Sequence, residues 1–336
     1  MCYKIESDFK KIIPEIDETA EFTEKLYSEE SIKENLKKVE KNQYILSKNG
    51  VFYRKEYKDK SAVFVSGYVP VDEKIKDTVY FTEPLDIIFK QKIEKTKEIA
   101  QIYYNDKNSY NRIYPGFDVL AQYQTKMNIP QFNFYYLADK KHNPLKKSVW
   151  VDEPYVDPAG RGWMISLIKP VYVNDALAGV AGIDITINVI IGKYLVGENE
   201  YIIILSKEGT VITVSEKIAA ILSLPTLNAH RYIETIKADT YMPDNFNLLK
   251  SKKKNIRTLI EKIMKEKNIK SQYRYNYENE KYTVISEKID EVKWIGIKFI
   301  RQNWACNKFC VFPPASKLGK YAILWNSIRK MNHKLS

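Results

Sequence analysis

Asp184 stands in the apolar run Gly179-Val180-Ala181-Gly182-Ile183-Asp184-Ile185, which reads as a β-strand. Strand side chains alternate between faces, so Asp184 points away from both isoleucine neighbours. Aspartate is disfavoured inside strands, which marks this one as a candidate functional carboxylate. Upstream lie the aromatic residues Tyr135, Tyr136, Trp150, Tyr155 and Trp163, together with Asp157 and Ser166. Aromatic walls give a pocket its apolar area, and a few polar groups fix the orientation of what enters it. A carboxylate among such rings is a natural partner for an ammonium group, through charge-assisted hydrogen bonds and cation–π attraction. Taken singly, Trp150, Tyr155 and Trp163 also suit core packing.

Other chemistries are poorly supplied. The motifs G-x-S-x-G, G-x-x-x-x-G-K-[ST], H-E-x-x-H and C-x-x-C are absent, and there are only three histidines, His142, His230 and His333. Cys306 and Cys310 have no companion ligands for tetrahedral zinc. The chain therefore reads as a binding module and not an enzyme, with no catalytic residue, metal or cofactor.

The elements that position these residues follow from periodicity and turn signals. Leu26, Ile32, Leu36 and Val39 form one apolar stripe of a helix over 15–43, open to helix–helix contact. Ser47-Lys48-Asn49-Gly50 predicts a hairpin, Ala62 to Val69 a third strand, and Pro84 to about Ala100 a second helix. A strand starts at Ile102, and 108–147 reads as a long loop with short elements. Gly162 to Tyr172 and Ala176 to Ile187 pair through Val173-Asn174-Asp175. Past Lys193 a second set follows: strands at Tyr201 to Leu205 and Thr210 to Val214, a helix at Ile256 to Lys267, then three strands between Ser271 and Ile300. The predicted class is α+β, two antiparallel-sheet subdomains in tandem behind a long N-terminal helix.

The ordered set Tyr135-Tyr136-Leu137-Ala138, Trp150 to Tyr155 to Asp157 before a glycine turn, Pro170-Val171-Tyr172 and Gly179 to Ile185 resembles the ligand-binding half of double Cache domains. These are PAS-like extracytoplasmic sensor modules of bacterial chemoreceptors, histidine kinases and cyclic-dinucleotide enzymes. The match covers about residues 100–190, and the architectural likeness roughly 15–300. The resemblance implies an N-terminal helical segment over 1–43, a membrane-distal ligand-binding subdomain over 44–192, a membrane-proximal relay subdomain over 193–300 and a basic tail over 301–336. It aligns Asp184 with the aspartate that receives a ligand amino group, and Tyr136 and Tyr155 with aromatic ligand contacts. It also implies an extracytoplasmic location, a homodimer through the N-terminal helix, and a signalling output domain that is not in this chain. Amino-acid-binding members carry an Arg just before the Trp-Tyr pair. Here that stretch is Pro130-Gln131-Phe132-Asn133-Phe134, and Tyr135 stands where Trp is usual. The expected ligand is an amine or is amino-acid-like, with the carboxylate clamp missing.

Charge offers an alternative. The net charge is +12, and residues 241–336 hold 21 basic against 8 acidic side chains. This region would serve a basic surface-binding protein that contacts nucleic acid or anionic membrane. No nucleic-acid recognition signature accompanies the charge, so nucleic acid is the weaker partner. The segment holding most of the aromatic and acidic motifs, 151–240, has 7 basic and 11 acidic side chains, which suits a cationic ligand.

Overall fold

The computed structural model describes residues 1–158, 160–194, 201–224 and 246–302. Three helices open the chain: α1 (Cys2–Lys10), α2 (Ile13–Leu26) and α3 (Glu29–Lys38). The single helix expected over 15–43 is thus divided, and the reason is local. Ser28 has extended backbone and its Oγ accepts the Ser31 N–H at 3.3 Å, with Glu29 and Glu30 in the first turn. A hydroxyl cap followed by acidic residues satisfies free N–H groups and the helix dipole, so a new helix starts there. After Val39 the chain leaves the helix for a 3-10 turn at Lys41–Gln43. Leu26 is buried, and Ile32, Leu36 and Val39 are half-buried against the same core, where α3 packs on α4 (Glu73–Phe81). The stripe is used within the chain.

The first sheet has eight strands: β1 (Tyr44–Leu46), β2 (Phe52–Arg54), β3 (Ala62–Val65), β4 (Gln101–Asp106), β5 (Tyr110–Tyr114), β6 (Val149–Val156), β7 (Trp163–Val173) and β8 (Ala176–Thr186). Their order is β1-β2-β3-β5-β4-β8-β7-β6, antiparallel throughout. The predicted hairpins form, with Gly50 at φ +80° in one turn and Asn174 and Asp175 left-handed in the other. β5 falls inside the stretch read as loop. Its residues Asn111 and Arg112 put polar groups on both faces, and both are buried, so no apolar alternation announced the strand.

Each face of this sheet is covered, which is why its central strands are buried at nearly every position. Ile102, Tyr104, Ile165, Leu167, Ile183 and Ile185 face the core shared with α2 and α5 (Leu85–Lys95). Tyr103, Ile113, Val151, Tyr155, Met164 and Ile168 face the other way. They lie under the segment that carries α6 (Val119–Gln122), a 3-10 turn at Ile129–Gln131 and α7 (Asn133–Tyr136).

α8 (Ile187–Tyr194) leads to the second set of elements: β9 (Ile202–Leu205), β10 (Val211–Val214), α9 (Glu216–Leu222), α10 (Lys254–Lys265), β11 (Lys270–Tyr277), β12 (Glu280–Ile289) and β13 (Trp294–Arg301). The sheet order is β10-β9-β13-β12-β11, again antiparallel. Ile256, Leu259, Ile260 and Ile263 of α10 close one side, with Ile203 and Leu205 beneath. On the other side Ile202, Ile204 and Trp294 join the first core through α1. The two sheets confirm the α+β class. Tyr275 is buried in the α10 core and accepts a hydrogen bond from Asn255, so it offers no open stacking platform beside the basic run. Most of the basic tail, with Cys306 and Cys310, lies outside the described residues. Among the described residues no helix is long and apolar enough to cross a membrane.

Candidate ligand-binding site

Register assembles the site. Gln101 of β4 is paired with Asp184 of β8, Asp184 with Ser166 of β7, and Ser166 with Val151 of β6. Residues in one cross-strand row share a face, so the three polar side chains meet away from the helix core. All three are buried. Asp184 Oδ2 accepts Gln101 Nε2–H at 2.5 Å. Its Oδ1 accepts the Ser166 hydroxyl at 2.5 Å and the Tyr155 hydroxyl at 3.3 Å. The Tyr155 and Ser166 hydroxyls also lie 2.6 Å apart.

A second carboxylate sits beside the first. Asp157 follows β6 in a tight turn closed by its own backbone, with Asp157 N–H donating to Gly162 O and Gly160 N–H donating back to Asp157 O, each at 2.9 Å. Gly160 and Gly162 have φ of +83° and +89°, conformations that L side chains rarely adopt. The turn aims Asp157 Oδ1 at Gln101 Nε2, 3.3 Å away, while Oδ2 accepts the Arg161 N–H. One glutamine amide therefore faces both carboxylates. Burial pushes the Asp184 carboxyl up to about 7, helped by the charge of Asp157 and opposed by the hydrogen bonds from Ser166, Gln101 and Tyr155.

The cavity above this pair is bounded by Tyr103, Ile113, Phe134 and Tyr155 along its length, and by Asn105, Asn111, Tyr123, Met127 and Ile129 at the far end. None of the described residues that line it is basic. Arg161 is close in sequence, but its guanidinium donates to Ala100 O and Pro115 O, each at 2.8 Å. The free volume is about 20 Å³, room for roughly one water.

Of the residues singled out in the sequence, Tyr155, Asp157, Ser166 and Asp184 come together here. Tyr135 is buried in the cluster beneath the same face, without lining the cavity. Tyr136 is half-buried, with its ring 5.4 Å from that of His142. Trp150 and Trp163 lie with the helix-side core, Trp150 stacked on Phe9 at 4.8 Å. The alternation that turns Val151 and Tyr155 toward the cavity turns Trp150 away from it. Gln101, Asn105 and Asn111 were not anticipated. Their signal is the period-two series Gln101, Tyr103, Asn105, a polar and aromatic face inside a buried strand.

No family model and no curated protein matches this chain. Solved structures do, at low identity. The ligand-binding domain of the Pseudomonas aeruginosa PAO1 amino acid chemoreceptor PctB, in complex with L-Arg, is 11% identical, covers 69% of this chain and 82% of its own, and has a TM-score of 0.44. The sensory domain of the Campylobacter jejuni chemoreceptor Tlp3, with isoleucine bound, is 11% identical, covers 88% and 94%, and has a TM-score of 0.44. The ligand-binding domain of the Pseudomonas fluorescens chemoreceptor CtaA, with L-alanine, is 14% identical, covers 62% and 75%, and has a TM-score of 0.40. The chain is similar to these sensor domains.

Proposed function

We propose that this chain is a sensory module that binds a small amine, or the ammonium end of an amino-acid-like ligand, in the cavity of its first sheet. The observation that carries the reading is the buried pair Asp157 and Asp184, held on one Gln101 amide in a cavity with no cation among its described lining residues. Two carboxylates buried side by side are costly, because burial and mutual repulsion both disfavour the charged forms. An ammonium group supplies a positive charge and three N–H donors, and the Tyr103, Phe134 and Tyr155 rings add cation–π attraction.

The small free volume requires the wall to yield. Met127, Ile129 and Phe134 belong to the segment between β5 and β6, which has only single-turn helices and no ladder. Such segments open at low free-energy cost. In this reading 44–192 receives the ligand and 193–300 relays its effect, in an extracytoplasmic setting. A homodimer through the N-terminal helices would use the outer, charged faces of α1 to α3, because their apolar stripe is already packed.

The test is a calorimetric titration and thermal-shift screen of primary alkylamines and amino acids at pH 8. Stabilisation follows ligand occupancy. Binding by wild type and loss in Asp184→Asn is expected. An amine that binds Asp184→Asn as well as wild type would sink the assignment.

A further inference from the structure

The far end of the same cavity has a chemistry of its own. β4 carries Gln101, Tyr103 and Asn105 on one face, so Gln101 and Asn105 stand about 13 Å apart along the strand at ~3.3 Å per residue. At the Asn105 end, Asn111 of β5 donates from Nδ2 to Asn105 Oδ1 at 2.7 Å, and the Tyr123 hydroxyl donates to Asn111 Oδ1 at 3.2 Å. Asn105 and Asn111 are both more than nine-tenths buried. These contacts use both amide oxygens as acceptors. They leave the Asn105 Nδ2 group, two N–H donors, without a hydrogen bond among the described residues. Asn105 lines the cavity, so these donors are open to a group that enters it.

We infer that Asn105, Asn111 and Tyr123 form a second, neutral polar subsite, and that the ligand is an extended amine with an uncharged hydrogen-bond acceptor at its other end. This rests on the amine reading of the acidic end. The remaining described lining at the far end is Met127 and Ile129, so no lining residue there neutralises a second charge of either sign. A second ammonium would be desolvated beside neutral amides, and a carboxylate would have no cation. An α-carboxylate would sit next to the ammonium, within reach of the Asp157 and Asp184 charges, and be repelled. Between the ends the walls are apolar or aromatic, which suits a chain of methylenes. The ligand class is therefore an N-acylated diamine, an ω-amino amide or an amino alcohol. The acceptor meets the Asn105 N–H donors and the ammonium meets the carboxylates.

Calorimetric titration of the full chain at pH 8 with n-pentylamine, N-acetyl-1,4-diaminobutane and 1,5-diaminopentane tests this. Wild type is expected to prefer the acetylated diamine over pentylamine by roughly five- to tenfold, the worth of one neutral hydrogen bond with its buried donor satisfied, and to gain nothing from the free diamine. Asn105→Ala is expected to erase the preference, read as the ratio of the two affinities within the same variant. Asn105→Asp, which keeps the side-chain shape, is expected to shift the preference to 1,5-diaminopentane. Equal affinity of wild type for pentylamine and the acetylated diamine overturns the subsite while the amine reading stands. A preference that survives both Asn105 variants does the same. Failure of all three amines to bind overturns the amine reading itself, and the subsite with it.

Discussion

Tyr103 of β4 lies directly across the ladder from Gly182 of β8, with its ring over the glycine: a Cβ at position 182 would stand 2.0 Å from Tyr103 Cζ. The requirement is one of space, since Gly182 does not have a positive φ. The neighbouring same-face pair on these two strands is Gln101 with Asp184, so a displaced Tyr103 ring disturbs the carboxylate site as well. Gly182→Ala is expected to destabilise the fold by about 1–3 kcal/mol, the usual range for overpacking. Urea denaturation of Gly182→Ala, Tyr103→Leu and the double variant would show positive coupling, because the smaller side chain makes room for the methyl. Additive losses would mean the two positions do not interact.

The raised Asp184 carboxyl sets a pH dependence with a definite sign. Its ordinary value is 3.8 and its folded value about 7. Between these the unfolded chain has released the proton and the folded chain still holds it, so stability falls as pH rises from about 4 to 7 and levels off above. At 1.36 kcal/mol per unit the loss is roughly 4 kcal/mol at most. Asp184→Asn removes this term, so the stability of the variant relative to wild type should rise from pH 4 to pH 7. Asp106, pushed up to about 6 by burial, acts in the same direction in both proteins and cancels. Amine affinity should run the other way, rising from pH 6 to 8 as Asp184 ionises. A difference that stays flat with pH would show that Asp184 ionises normally.

On the helix side of the sheet, one carboxylate holds two buried guanidiniums. Asp86 of α5 accepts Arg54 through Oδ2 at 2.5 Å and Arg112 through Oδ1 at 2.6 Å, and both arginine side chains are fully buried. Burial alone would raise the Asp86 carboxyl, but Arg112 and Arg54 prevail and hold it below its ordinary value. Its contribution is present above that ordinary value and lost as pH falls through the lower folded one. Asp86→Ala leaves two buried cations short of a partner and should destabilise by about 3–5 kcal/mol. Glu83 still pairs with Arg54 in either variant, and Asp86→Asn is expected to lose less because its amide oxygen still accepts one guanidinium N–H. A loss under 1 kcal/mol in Asp86→Ala, measured by chemical denaturation, would refute this account.

The sheets and the principal carboxylate were legible because their signals are local. Hairpin turns, the two long strands β7 and β8, and Asp184 between isoleucines all appear in a few consecutive residues. Asp157 and Ser166 joined them through the same motifs. What escaped depends on tertiary pairing. Gln101 joins the candidate site only because register sets it opposite Asp184, and Asn111 because β5 lies between β3 and β4. Trp150 shows the converse. Its type and its place near Tyr155 suggested a pocket wall, but strand alternation, broken by a register shift between Val151 and Tyr155, assigns it to the opposite face.

That placement gives Trp150 a different role. β6 carries Tyr155 toward the cavity, while Trp150 at its other end stacks on Phe9 of α1, and Phe9 in turn meets the edge of Trp294 of β13 at 5.9 Å. Trp150 Nε1–H donates to Glu291 at 3.3 Å, and the Glu291 N–H donates to Glu6 of α1 at 3.0 Å. One strand thus touches the cavity, the first helix and the turn at Asp290–Val292 that joins β12 to β13. Phe9 is 2% exposed, and Phe9→Ala should destabilise the chain by about 3–5 kcal/mol, as removal of a buried aromatic does. If Tyr155 shifts when an amine seats against Asp184, the Trp150 stack must adjust with it, since close-packed contacts do not deform freely. Tryptophan emission should therefore change on titration with an alkylamine that binds, and the change should vanish in Trp150→Phe while the calorimetric affinity is retained. An emission change that survives Trp150→Phe would place the coupling elsewhere and leave this stack with a structural role only.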